Sequence, residues 1–354
     1  MKKILLITEN LGSGGAERQL CGLAILLKQR GYAVKVVTYV ERQFYEPLLR
    51  KNNVDYELRK ELLNKYTRAF KLVAVYKQFK PDTVISFLPS TNLGVCLSRL
   101  FYKCQIIVSE RSHTMNWGFK TKLRYAIYSL ADKIVANSNS EKLNIAEHCK
   151  FLRGKVFAIS NFVDTDKFVP KGKIPHEELQ ILCVARLLAV KNVSALIDVV
   201  YNLKKQNLKF KIKWVGAKFD KEYASQMEQK IKNLDLQDFF VMCDQTSNIV
   251  EEYQQADVFC LPSLYEGFPN VVCEAMSCGL PILCSNVCDN PMIVEDGENG
   301  FLFDPLDVAD IEAKIKQIIT MKPEDLRQMG RKSREMALTK FSTKKFVENY
   351  IDIL

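Results

Sequence analysis

The stretch Pro262-Ser263-Leu264-Tyr265-Glu266-Gly267-Phe268-Pro269-Asn270-Val271-Val272-Cys273-Glu274-Ala275-Met276-Ser277-Cys278-Gly279-Leu280-Pro281 decides how the rest of the chain is read. The apolar run 257–261 before it reads as a buried strand, and Pro262 and Gly267 turn that strand into a loop. Pro269 has the fixed φ suited to a first helical position, so a short helix is expected next. Gly279 suits the left-handed residue after a helix end, and Pro281 forbids continuation. The unit is strand, loop, helix, strand.

That unit gives two carboxylates different places. Glu266 falls in the loop at the carboxyl edge of a sheet, and Glu274 about one turn into the helix. The helix N-terminus between them offers free N–H groups and roughly half a positive charge to an anion. A diphosphate suits the helix end, and vicinal hydroxyls suit carboxylates, which accept two hydrogen bonds at once.

Working outward, the same alternation recurs. Strands are expected at 3–8, 34–39, 54–57, 83–87, 106–109 and 134–136, with helices between them, including a long one over 61–79. After Lys171-Gly172-Lys173-Ile174-Pro175, which reads as a linker, strands follow at 181–185, 211–215, 239–242, 258–261, 282–285 and 301–302. Two further helices are expected from Pro323 onward. Val/Ile-rich runs alternating with helices indicate α/β architecture with parallel sheets buried on both faces. At 354 residues, two domains are expected: 1–170, with 340–354 returning to it, and 171–339.

Glu266-x7-Glu274, set in Pro-Ser-Leu-Tyr-Glu-Gly-Phe-Pro-Asn and followed by Glu-Ala-Met-Ser-Cys-Gly-Leu-Pro, resembles the retaining glycosyltransferases of family 4. The resemblance is strong over 155–305 and weaker over 1–20 and 105–140. It implies the GT-B fold, two Rossmann-like doubly wound domains facing each other across a cleft, the second holding a nucleotide-sugar donor and the first an acceptor. It also implies roles for particular residues. Glu266 contacts the donor sugar and Glu274 the ribose. Arg186 and Lys191, in Cys183-Val-Ala-Arg-Leu-Leu-Ala-Val-Lys191-Asn192, bind the diphosphate. Gly267, Phe268, Asn270 and Val271 line the donor site, and Gly14 and Gly15 approach it from the first domain. Here Ala185 and Asn192 replace the usual glycines, and Met292 stands where the family has glutamate. A donor-contacting histidine usually follows the fifth strand; this chain reads Ser109-Glu110-Arg111-Ser112-His113, which leaves His113 and the Glu110-Arg111 pair as alternatives.

Independently of that resemblance, fixed cations in a dry site stabilise the charge growing on a diphosphate leaving group. Asp164-Thr165-Asp166 has the form of a metal-binding triplet, but its place before the linker favours turn-capping. No metal and no cofactor are expected. Eleven cysteines include no CxxC pair and sit mostly in apolar runs, as free thiols do in a reducing compartment. The apolar run after Met1-Lys2-Lys3 stops at Thr8-Glu9, so it reads as a first strand, and the chain as cytoplasmic. Gly12-Ser13-Gly14-Gly15 lacks the third glycine of a dinucleotide fingerprint.

The expected activity is transfer of a sugar, from a UDP-sugar by preference, to a glycan or polyprenyl-linked acceptor in surface polysaccharide or lipopolysaccharide synthesis. The rival classes are a nucleotide-sugar epimerase of the same fold and a non-enzymatic nucleic-acid-binding protein. The latter would need an aromatic-basic motif, and none is found. The first 170 residues carry 28 Lys+Arg against 14 Asp+Glu, in a chain of net charge +10. With 117–128, where aromatic and basic residues mix, this points to peripheral contact with an anionic membrane face.

Overall fold

Apolar runs bounded by turn residues become two all-parallel sheets in the computed structural model, which describes residues 1–172 and 177–354. The chain divides into Met1–Asn161 with Thr343–Leu354, and Phe162–Ser342.

In the first unit the chain runs β1 (Lys3–Ile7), α1 (Gly15–Gln29), β2 (Ala33–Thr38), α2 (Glu46–Lys51) and β3 (Asp55–Leu58). It continues through α3 (Arg68–Phe79), β4 (Thr83–Phe87), α4 (Pro89–Ser98), β5 (Gln105–Glu110) and α5 (Phe119–Tyr128). Then come β6 (Lys133–Ala136), α6 (Asn139–His148) and β7 (Val156–Ala158). Strand order is β3-β2-β1-β4-β5-β6-β7, so the order reverses between β1 and β4. A doubly wound sheet opens its ligand crevice at such a reversal, outside the strands' carboxyl ends.

The second unit repeats the plan. Its elements are β8 (Leu179–Val184), α7 (Val193–Lys204), β9 (Phe210–Val215), α8 (Lys221–Asn233), β10 (Phe240–Cys243) and α9 (Ile249–Gln255). There follow β11 (Val258–Leu261), α10 (Asn270–Ser277), β12 (Ile282–Ser285), α11 (Asn290–Ile293), β13 (Gly300–Phe303), α12 (Val308–Ile319) and α13 (Pro323–Lys340). The order β10-β9-β8-β11-β12-β13 reverses between β8 and β11. Successive strand residues point to opposite faces, and here each face has its own core. Val258 and Cys260 join one cluster with Trp214 and Leu196, while Phe259 and Leu261 join the other with Met276 and Val272. Burial on both faces is why the strand sequences are continuously apolar. Burying a side chain such as Phe259 contributes roughly 1.5–3 kcal/mol.

The last helix, α14 (Thr343–Ile351), buries Phe346, Val347 and Tyr350 within the first unit. Lys2, at 2.7 Å, donates to Leu354 O, and Lys133, also at 2.7 Å, to Ile353 O, which pins the chain end to the amino ends of the strands.

Three expectations are corrected. The helix read over 61–79 is instead a 3₁₀ turn, Lys60–Leu63, followed by α3 from Arg68. The cause is the buried Arg68 side chain, which takes Leu62 O at 2.7 Å and Leu63 O at 3.2 Å, carbonyls a continuing helix would need. The domain boundary falls at 161/162, not 170/171. Val163 N bonds Phe341 O at 2.8 Å and Phe168 packs on Tyr253, so 162–170 belongs with the second unit. In the linker read at 171–175, residues 173–175 lie outside the described residues. Finally, of the aromatic residues of 117–128, Trp117, Tyr125 and Tyr128 pack into the unit and do not face an interface. Tyr125 and Tyr128 are fully buried, and Trp117 stacks on Tyr125 and His148. Arg124 lies over the Tyr125 ring and donates to Thr114. An amphipathic helix on a sheet turns its aromatic stripe inward; α5 leaves Phe119 and Leu123 exposed, and Met115 is exposed in the loop before it.

Candidate active site

The reversal between β8 and β11 brings two distant loops together. After β8, Ala185 N bonds Val215 O at 3.1 Å and Leu187 N bonds Ala217 O at 3.0 Å, which fixes the first loop on β9. Gly216 is required there, because a Cβ would run into the backbone carbonyl of Ala185, which also accepts from the Trp214 indole at 2.9 Å. A 3₁₀ turn, Ala189–Lys191, then leads to Asn192 at φ 59° and ψ 33°. Asparagine tolerates this left-handed region, and Asn192 Nδ2 anchors to Pro305 O at 2.8 Å, so the usual glycine is dispensable.

The second loop follows β11. Leu264 N bonds Val190 O at 2.9 Å, tying the two loops by their backbones. The side chains complete the join. Lys191 Nζ lies 2.5 Å from Glu266 Oε1, and Ser263 Oγ donates to the same oxygen at 2.6 Å. Glu266 is 9% exposed and Ser263 fully buried. Among the described residues no group bonds Glu266 Oε2.

α10 starts at Asn270, one residue later than the sequence suggests, with Pro269 as its N-cap at φ −82° and ψ 77° and not as its first helical residue. Gly279 has φ +77°, the left-handed helix end expected of it. Glu274 is 5% exposed and accepts from the Tyr253 hydroxyl at 3.0 Å. Asn270 and Val271 are half-buried in the first turn, and Gly267 is half-buried in the loop. Phe268 is a core residue, its ring edge-on to Phe341 at 5.9 Å, so only its backbone faces the loop. Arg186 is exposed, with its guanidinium 5.6 Å from the Phe219 ring centroid and outside the Lys191–Glu266 pair. Beside this loop, between the ends of β9 and β10, lies a cavity of about 550 Å³ lined by Ala217, Lys218, Lys221, Asp244 and Gln245 among others.

In the first unit Gly14 is the extended N-cap of α1 and Gly15 its first residue. A Cβ on Gly14 would meet the Glu17 carboxylate, which folds back over the helix start. His113 is half-buried, with Nδ1 2.9 Å from Glu141 Oε2 and Nε2 3.3 Å from Asn144 Nδ2. Glu110 is fully buried and accepts from Tyr128 at 2.6 Å. Burial pushes its carboxyl pKa up, with nearby Arg124 opposing. The Arg111 guanidinium lies over Phe87, 4.7 Å from the ring centroid, and donates to Asn161. All three are bonded into the unit's interior. Asp164 Oδ1 accepts from Asp166 N and Lys167 N, making a turn. Among the described residues no cluster of three His, Cys, Asp or Glu is placed to hold a metal ion. The eleven cysteines are free, and burial raises the Cys183 thiol well above its ordinary value.

Sequence reading missed Ser263, Tyr253 and Glu141. Ser263 and Glu266 stand in the S-x-x-E spacing of a capping box, a signal that was available. Tyr253 and Glu141 had none.

Two doubly wound domains with such a site at the second one's switch point define the GT-B class, and comparison with known proteins makes the protein a glycosyltransferase. The family model for glycosyl transferases group 1 matches residues 164–336, and that for Glycosyltransferase Family 4 matches 13–167. The chain belongs to family 4. An uncharacterized glycosyltransferase of Haemophilus influenzae is 29% identical over 100% of both chains. An α-1,4-N-acetyl-D-galactosaminyltransferase of Campylobacter jejuni, named for a PP-undecaprenol-linked glycan, is 26% identical over 85% of this chain and 84% of its own. Anabaena HepE, solved in complex with UDP, superposes with a TM-score of 0.85 at 18% identity, over 100% of this chain and 99% of that one. An amylovoran biosynthesis glycosyltransferase of Erwinia amylovora is 26% identical over 93% of this chain and 92% of its own.

Proposed function

We propose that the protein transfers a sugar from a UDP-sugar, with retention and without a metal, to a glycan or polyprenyl-linked acceptor in surface polysaccharide or lipopolysaccharide synthesis. The observation that carries this reading is the Lys191–Glu266 pair at the β8/β11 switch point, followed by α10 with the buried Glu274 about one turn into it. Lys191, Arg186 and the α10 N-terminus receive the diphosphate, Glu274 the ribose diol and Glu266 the sugar. The cavity beside Ala217 and Gln245 has room for the base. The bond from the anomeric carbon to the diphosphate oxygen breaks as these positive groups take up its charge. The acceptor's hydroxyl oxygen forms the new bond to the anomeric carbon on the same face and gives its proton to the leaving phosphate, so no protein base is required. Binding of UDP by HepE and the lipid-linked glycan in the Campylobacter name support the donor and acceptor classes.

A thermal-shift panel of UDP, GDP, ADP and NAD, each with EDTA or manganese, tests this. UDP should stabilise most and equally in both conditions. At about 100 times its dissociation constant it adds ~2.7 kcal/mol, which for a unit of this size is roughly 5–10 °C. Response to NAD alone would overturn the reading, and a manganese-dependent response would overturn its metal independence.

The same reading places the acceptor at an anionic membrane face. The first 170 residues hold a twofold excess of basic over acidic side chains. Lys120 and Lys122 are exposed on α5 beside Phe119 and Leu123. No helix among the described residues is long and apolar enough to cross a membrane, so contact would be peripheral. Each cation at such a surface is worth ~1 kcal/mol. Flotation with anionic liposomes at low salt should therefore be lost in the Lys120→Glu, Lys122→Glu double variant. Equal flotation of the two proteins would remove α5 from membrane contact.

A further inference from the structure

Two donors converge on one oxygen of Glu266. Lys191 Nζ is at 2.5 Å and Ser263 Oγ at 2.6 Å from Oε1, while Oε2 takes none among the described residues. Lys191 is also the cation that the proposed function assigns to the diphosphate; its ammonium has three N–H donors, but its one positive charge is already matched by the Glu266 carboxylate at 2.5 Å. The side chains of Lys191 and Glu266 are 15% and 11% exposed, so neither is screened as a surface pair would be.

We infer that donor binding is a handover: the diphosphate takes Lys191 from Glu266, and Ser263 alone then holds Oε1 while Oε2 is turned to the sugar. This rests on the proposed function and adds to it a positioning residue, Ser263, and a coupling between the phosphate and sugar ends of the site. No covalent bond changes. One ammonium exchanges a carboxylate for a phosphate, and the carboxylate becomes a stronger acceptor for a sugar hydroxyl as its counter-ion leaves. Ser263 suits the task because it is fully buried, two residues past the end of β11, with its hydroxyl on Oε1 at 2.6 Å. In the unliganded protein the pair opposes binding, because the carboxylate neutralises the charge that the diphosphate would otherwise meet. A nucleoside diphosphate without a sugar bears that cost and gains nothing at Glu266.

The consequence runs against ordinary expectation for a site residue: neutralising Glu266 should strengthen binding of UDP. Calorimetric titration with UDP should show Glu266→Gln binding about three- to tenfold tighter than wild type, a charge-pair effect of ordinary size. Lys191→Ala should bind at least about tenfold weaker. If the Gln variant does not fold, Glu266→Asp withdraws the carboxylate by one methylene and should shift UDP affinity in the same direction by a smaller factor. Ser263→Ala should leave UDP affinity within about twofold and the melting temperature near wild type. Its kcat for transfer should fall about tenfold with donor KM little changed, a split that a merely structural serine would not produce. Unchanged or weaker UDP binding by Glu266→Gln, with wild type binding UDP normally, would overturn the handover and leave the glycosyltransferase reading standing. Failure of wild type to bind UDP, GDP or ADP would overturn the proposed donor site and the handover with it.

Discussion

Replacing Glu266 by alanine is expected to lower kcat for sugar transfer by about 10²–10³-fold, with donor KM changed only a few-fold. The reason lies in which oxygen is free. Oε1 is held by Lys191 and Ser263 in the unliganded protein, and by Ser263 after the handover, so Oε2 is the oxygen offered to the sugar. A fixed carboxylate beside the anomeric carbon gains strength as positive charge develops there, so its loss falls mainly on the transition state. Glu274→Ala should show the opposite pattern, with donor KM raised by more than kcat is lowered. Its carboxylate already accepts from Tyr253 at 3.0 Å inside α10's buried face, and a ribose contact there is made equally before and during reaction. Initial-rate kinetics on both variants with varied donor decides the matter. Exchanged patterns would exchange the two roles.

The largest expected loss of stability away from the site is at Arg334 on α13. Its Nη1 donates to Phe168 O at 2.8 Å, Ser277 O at 2.7 Å and Ser277 Oγ at 2.8 Å, and Nη2 to Thr165 O at 3.0 Å. One guanidinium thus takes a carbonyl at the C-terminal end of α10 and the backbone of 165–168, with the helix dipole adding to the attraction. The same helix touches the turn after α10, where a Cβ on Gly330 would collide with the carbonyl of Gly279. Arg334→Ala leaves these acceptors without a charged donor and should cost about 3 kcal/mol. That is a fall of roughly 6–12 °C in Tm for a unit of this size. Arg334→Lys should recover only part, because a single ammonium cannot span both groups of acceptors. Scanning calorimetry of the three proteins measures both effects. A loss below about 1 kcal/mol in the alanine variant would show that water replaces the guanidinium.

The sites of these two predictions differ in how far they could be read in advance. Glu266 and Glu274 stand out in sequence because Pro262, Gly267, Pro269, Gly279 and Pro281 act locally. Each restricts or frees the backbone at its own position, so strand, loop and helix follow without knowledge of the rest of the chain. The two-domain α/β plan was legible for a similar reason: strands covered on both faces must be apolar throughout, as at 258–261 and 282–285. Arg334 gave no such sign. It is one of many basic residues on a polar helix, and its partners lie between 57 and 169 residues away in sequence.

What the sequence by itself determined is therefore the set of local decisions: the order of strands and helices, the loop that carries Glu266, the helix that carries Glu274, and the family. What only the tertiary structure decided is which charges are spent on one another. Lys191 meets Glu266 because the strand order reverses between β8 and β11, a pairing across 75 residues that no local pattern encodes. His113 turns to Glu141 and Arg111 to Asn161 in the first unit, pairings likewise made only when separated segments meet. A buried polar group must find a partner wherever the packed chain supplies one, and that supply is fixed only when distant segments come together.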